Sequence, residues 1–254
     1  MNSNINYILI FISISLFISC SSKKEVVYFQ NANQFETLVD EDFFETKFKV
    51  DDLISIHVST LDPEASAPFN LFRGAAEGGI RPEQVDYLVN KEGEIDFPVI
   101  GKVKIVGLSP SETRDLLRDK LSDYLKNPII NIRIKNFSVT ILGAVNRPGT
   151  YQISGEQITI LEALGNAGDI NIKGRKDNVM VIRDFNGTKV YNRINLNDKE
   201  ALKSPIFYLT QNDVVIVEPN KSGKTESSLD QRASIAVSII SLLITSTVVL
   251  LSRN

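Results

Sequence analysis

The sequence predicts an α+β fold: two small mixed α/β domains set between apolar ends, with the rear end forming a transmembrane helix. Three observations carry this. Short stretches in which apolar and polar residues alternate recur between Gly-containing turns, as half-buried strands do. Two capping-box patterns, Ser109 with Glu112 and Thr159 with Glu162, mark helix starts. Apolar runs at residues 5–19 and 233–251 bracket roughly 200 residues, enough for two modest cores.

The front run is too short to span a bilayer, which takes about 20 apolar residues, and has the length of a secretory signal core. Small Ser19 precedes Cys20, the single cysteine, and polar Ser21-Ser22-Lys23-Lys24 follow. This pattern resembles the lipobox at which bacterial lipoproteins are cleaved and acylated. It makes residues 1–19 a signal peptide with lipobox, Cys20 the lipidated first mature residue, and 20–45 a linker. The alternative is an uncleaved anchor with an incidental cysteine, since one cysteine can form no internal disulfide.

The first soluble region opens with Ile54, Ile56 and Val58 alternating with polar neighbours behind an Asp51-Asp52 turn, a strand. Residues 62–82, rich in Pro, Gly and Ala, read as a long loop whose Phe69, Leu71 and Phe72 either pack underneath or serve a function. Short strands divided by Gly turns occupy 86–106. A helix then starts at Ser109 with Pro110 at its first position, buries Leu117, Leu121, Tyr124 and Leu125, and ends at Asn127-Pro128. Ile130, Ile132 and Ile134 form a closing strand.

The second region repeats this plan in shorter form. A strand from residue 137 reaches a Pro148-Gly149 turn and a second strand, and Thr159 caps a brief helix over 160–164 stopped by Gly165 and Gly168. Strands at 179–182, 190–194 and 214–217 complete a small sheet. A polar linker, 219–231, leads to the predicted transmembrane helix, 232–252, whose 19 apolar-rich residues at ~1.5 Å rise reach about 28 Å. On it Ser234, Ser238, Ser241 and Thr245 share one face, a stripe suited to helix–helix approach or to a wet lumen. Hydroxyls bonded back to their own helix carbonyls are the plainer account.

The segments FKVDDLISIHV and DYLVNKEGEIDFPVIGKVKIVGLSPSETRDLL strongly resemble the polysaccharide biosynthesis/export family, with Asp51 where the family usually has glycine. The following stretch, with its Pro148-Gly149 turn and TILEALGNAGD helix, resembles the soluble-ligand-binding β-grasp (SLBB) domain. The resemblance implies a polysaccharide export domain at 46–136, an SLBB β-grasp domain at 137–218, and an outer-membrane lipoprotein exporting capsule or exopolysaccharide. It further implies a homo-oligomeric ring around a periplasmic cavity, with terminal helices lining a pore. The implied partners are the polysaccharide chain, membrane lipid, and an inner-membrane polysaccharide co-polymerase or tyrosine kinase.

Other chemistries find little support. A net charge of −3 gives no basis for nucleic-acid binding, and no cofactor is implied. Ser222-Gly223-Lys224-Thr225 ends like a P-loop, but Glu218 stands where the first glycine belongs. One His and one Cys cannot build a His/Cys metal site or a Cys-His nucleophile, and His57 reads as a polar-face residue. Asp86, Glu92, Glu94 and Asp96 read as solvated hairpin carboxylates rather than a glycosidase pair. No catalytic residue is expected. The rivals to an exporter are a monomeric polysaccharide-binding lipoprotein without a pore and a carbohydrate-active enzyme using Glu94 or Asp96.

Overall fold

The computed structural model describes residues 27–34, 44–73, 83–185 and 187–223, together with helical positions 235, 238, 239, 241, 242, 245 and 246. The first unit runs β1 (Leu53–Ser59), α1 (Pro63–Ser66), a 3-10 turn (Ala67–Phe69), β2 (Phe72–Arg73), β3 (Glu83–Gln84), β4 (Tyr87–Leu88), β5 (Glu94–Phe97), β6 (Gly101–Lys104), α2 (Pro110–Leu121) and β7 (Ile129–Ile134). Its main sheet has the order β4-β1-β7, with β1 central and antiparallel to both neighbours. The register sets Ile54 opposite Ile134, Ile56 opposite Ile132 and Val58 opposite Ile130, so β-branched pairs line the core face. His57 faces outward, opposite Asn131.

The Ser109 capping box forms: Ser109 Oγ accepts from the Glu112 amide at 3.1 Å and Glu112 Oε2 accepts from the Ser109 amide at 2.7 Å. Leu117, Leu121 and Leu125 are buried as expected. Tyr124 is 57% exposed instead, because α2 stops at Leu121 and the helical periodicity that would have turned Tyr124 inward stops with it. Its ring meets Phe69 at 5.9 Å. Of the three apolar residues flagged between 62 and 82, only Phe69 is buried; Leu71 and Phe72 face solvent.

The second unit runs β8 (Ser138–Gly143), β9 (Gly149–Gln152), β10 (Ile158–Thr159), α3 (Ile160–Asn166), β11 (Gly174–Phe185), β12 (Thr188–Ile194), a 3-10 turn (Lys199–Lys203), β13 (Tyr208–Leu209) and β14 (Val214–Pro219). Its five-stranded sheet has the order β12-β11-β14-β8-β9, and β14 runs parallel to β8 in an otherwise antiparallel sheet. α3 carries the expected Thr159–Glu162 capping box and lays Ile160, Ala163 and Leu164 on the core. Gly143 has φ +88, and a Cβ there would stand 2.1 Å from the Val217 carbonyl oxygen, so only glycine permits this approach of β8 to β14.

Each unit has its own core. One gathers Phe48 with Ile54, Ile56, Leu117 and Ile132; the other gathers Phe137, Ile141, Ile160, Val179 and Val215. Part of the expected linker, 20–45, is itself structured. Phe29 and Gln30 donate their amides to the carbonyls of Leu196 and Asn197 at 3.2 and 2.7 Å, Tyr28 hydrogen-bonds Asp169, and Lys176 sits 4.1 Å over the Tyr28 ring. Residues 27–31 thus form a strap across the second unit.

The predicted transmembrane helix over 232–252 is corrected. Among the described residues no helix is long and apolar enough to cross a membrane. The expectation rested on apolar content and length. The run also carries several Ser and Thr, which lower its apolarity below that of a typical spanning segment.

Candidate functional site

The two units meet along a seam where side chains bond backbone around the connector, residues 135–137, and across to the other unit. Asn136 Nδ2 donates to the Asp51 carbonyl at 3.0 Å while its Oδ1 accepts from the Leu53 amide at 2.9 Å. Gln211 Oε1 accepts from the Ser138 amide at 2.8 Å, and Gln211 Nε2 donates to the Asn136 carbonyl at 2.5 Å. Ahead of β1, Thr46 Oγ1 donates to the Glu156 carbonyl at 2.8 Å, and Phe44 stacks on Tyr208 with ring centroids 5.4 Å apart. Residues 44–47 therefore lie on the second unit, and Phe48 then enters the core of the first.

At the centre of the seam is a buried ion pair. Asp213 is fully buried, and Arg183 reaches it through Nη2 at 2.7 Å and Nε at 3.1 Å. Asp213 also accepts from the Thr210 amide at 2.8 Å and from Thr210 Oγ1 at 3.0 Å. That hydroxyl in turn accepts from Lys49 Nζ at 3.0 Å, so a lysine of the first unit joins the ion-pair network of the second. Burial pushes the Lys49 ammonium below its ordinary range; the negative charge of Asp213 opposes this and the positive charge of Arg183 adds to it. The Lys49 amide donates to Asp52 Oδ2 at 2.8 Å. Burial of Asp52 pushes its carboxyl up to about 6.

Beside this network opens a cavity of about 690 Å³, within the roughly 300–1,000 Å³ typical of small-ligand sites. Phe44, Tyr208 and Phe185 supply aromatic walls, and Lys47, Lys49 and Lys203 supply cations. Sequence reading missed this site. Its walls come from residues 44–49, 183–185 and 202–210, which no local pattern links.

The residues singled out from sequence lie elsewhere. Cys20 and Ser234 fall outside the described residues. Ser238, Ser241 and Thr245 are exposed helical positions. Ser241 Oγ donates to the Ser238 carbonyl at 2.9 Å and Thr245 Oγ1 to the Ser241 carbonyl at 2.7 Å, so these hydroxyls are satisfied within their own helix. In the P-loop-like stretch, the Gly223 amide donates to Asn220 Oδ1 at 3.0 Å, closing a local turn. Glu94 lies 3.9 Å from Lys102 across the β5–β6 hairpin, and Asp96 is exposed on the same strand. Among the described residues no group of His, Cys, Asp and Glu could hold a metal ion.

Comparison with known proteins matches residues 44–135 to the polysaccharide biosynthesis/export protein family and residues 138–217 to the SLBB domain. The chain is 27% identical over 147 residues to the EPS I polysaccharide export outer membrane protein EpsA of Ralstonia solanacearum. It is 32% identical over 99 residues to the EPS I polysaccharide export outer membrane protein EpsA of Ralstonia nicotianae. These alignments cover 56% and 38% of this chain but only 38% and 26% of the relatives. The first core thus falls within a stretch that matches the polysaccharide biosynthesis/export protein family, and the second, Phe137 aside, within a stretch that matches the SLBB domain.

Proposed function

We propose that this chain is the periplasm-facing body of an outer-membrane polysaccharide exporter, non-catalytic and assembled as a homo-oligomeric translocation channel. The observation that carries this reading is the tandem match: an export domain and an SLBB domain lie in series, and a hydrogen-bonded seam joins their cores. The names of the relatives support the same activity and the same membrane. A bulky, polar polymer is moved by enclosure in a wet passage rather than by tight capture, so transport asks for a ring and not for a catalytic pair.

In this proposal Cys20 carries the lipid anchor, with residues 46–136 and 137–218 as the two working domains. Ser234, Ser238, Ser241 and Thr245 form a helix–helix or lumen-facing surface of the assembly. An inner-membrane polysaccharide co-polymerase or tyrosine kinase delivers the polymer. The test is the mass and negative-stain shape of the detergent-extracted protein, paired with surface polysaccharide in a deletion strain. A closed ring and lost surface polymer support export. A monodisperse monomer that binds polymer, with export intact, replaces this reading with that of a binding lipoprotein.

A further inference from the structure

We propose that the seam cavity is a binding site for a carboxylated sugar ring, a uronic acid residue of a polysaccharide. The inference deepens the export reading and rests on it for the origin of the ligand. Three features specify the ligand class.

The first is aromatic surface. Phe185 is 66% exposed at the cavity, and no other aromatic ring stacks on it among the described residues. Tyr208 and Phe44, already stacked together, extend the wall. A pyranose presents a face of C–H bonds that packs on such rings while its hydroxyls stay wet.

The second is cation chemistry left over after internal pairing: the lining carries Lys47, Lys49, Arg183 and Lys203 against the carboxylates Glu45 and Asp184. Arg183 is committed to Asp213, and Asp184 pairs with Lys189. Lys47 and Lys49 form no ion pair with a carboxylate among the described residues, and Lys203 reaches Glu200 only loosely, at 3.6 Å on the surface. Lys49 is part-buried, and its ammonium bonds Thr210 Oγ1 and, at 3.4 Å, the Gln211 carbonyl, both uncharged. Asp213, Asp52 and Asp184 act on Lys49 only through space, so a ligand carboxylate would be the first to bond its ammonium directly, and a charge-assisted bond in this partly dry setting is stronger than its surface counterpart.

The third is shape. The cavity is not enclosed, so a residue within a longer chain can enter without a free end. A neutral sugar would leave the lysines unanswered. A small inorganic anion would leave the aromatic wall bare.

The test uses the full-length detergent-solubilised protein and isothermal titration with trigalacturonate, maltotriose and inorganic phosphate. Trigalacturonate is expected to bind, with maltotriose at least tenfold weaker and phosphate unable to displace the acidic sugar at equal concentration. The exposed-charge variant K47E/K203E should lower trigalacturonate affinity at least tenfold with an unchanged melting temperature. Tyr208→Ala should lower it several-fold, whereas K120E, on α2 and away from the cavity, should leave it intact.

Absence of trigalacturonate binding, equal binding of maltotriose, full displacement by phosphate, or equal losses in K120E and K47E/K203E would each overturn the proposal. Failure here is separable from failure of the export reading. A ring that restores surface polysaccharide yet binds no uronate keeps the exporter and loses the site; uronate binding by a permanent monomer keeps the site and loses the channel.

Discussion

The first unit is built around its first strand and the second around its last. β1 stands between β4 and β7, so the central strand of the first sheet exists before either partner is reached along the chain. β14 stands between β11 and β8, so the second sheet has no centre until residues 214–219 arrive. Without β14 the remaining pairs are two separate antiparallel ladders, β11 with β12 and β8 with β9. The parallel β8–β14 contact joins residues more than seventy positions apart, the kind of pairing that pays loop entropy before it returns stability. Two units of one body therefore differ in where they are vulnerable.

The largest effect should come from striking that last strand. Val217→Asp places an unpaired charge at a fully buried site and should cost more than about 4 kcal/mol, melting the second sheet. Hydrogen exchange should show β1 and β7 still protected. Simultaneous loss in both units would mean that the seam makes them one cooperative body, which breaks the comparison.

Next in size is the ion pair beneath the seam. Asp213→Ala strands a mostly buried Arg183 and should cost roughly 3–5 kcal/mol, read as a lowered denaturation midpoint. The parallel change Arg193→Ala, at an exposed pair with Glu218, should cost under about 1 kcal/mol.

A third expectation concerns pH. With its carboxyl raised to about 6 by burial, Asp52 binds its proton more tightly in the folded chain than in the unfolded one. Its stabilising contribution is therefore complete below the ordinary carboxyl range and is lost as pH rises through about 6. Asp52→Asn keeps an acceptor for the Lys49 amide and removes the charge, so it should raise stability at pH 8 by on the order of 2 kcal/mol and flatten this part of the profile. A profile unchanged between pH 4 and 7 would refute that assignment.

The smallest effect lies at the β5–β6 turn, where the Ile100 amide donates to the Pro98 carbonyl at 2.8 Å around Val99 at φ +69. A β-branched residue is strained in that left-handed region, and Val99 is exposed, so Val99→Gly should stabilise the first unit by about 1 kcal/mol. Thermal unfolding of the variant checks it, and a lower melting temperature would show that Val99 makes a contact worth more than its strain.

What sequence alone disclosed follows the range of each interaction. Period-two alternation located β1, β7, β8 and β14, and both capping boxes formed, because strands and helix starts are written within a few residues. Asp51 stands at φ +69, a left-handed position that aspartate tolerates better than most residues. β13, two residues long, offers no period to detect. The cavity was illegible for a different reason: Lys49, Arg183 and Tyr208 become neighbours only once the seam has formed. Tyr124 shows the opposite failure, in which a local pattern was extended past the point where the helix holds.

The strap at residues 27–31 has a mechanical consequence. It is bonded to Leu196, Asn197 and Asp198 of the second unit, and the chain enters the first core only at Phe48. Tension applied at the amino-terminal end is therefore borne first by the strap's grip on the second unit, and the first unit feels no load until those bonds shear. The strap acts as a strain relief, and it leaves the seam and its cavity undisturbed while the end of the chain is pulled.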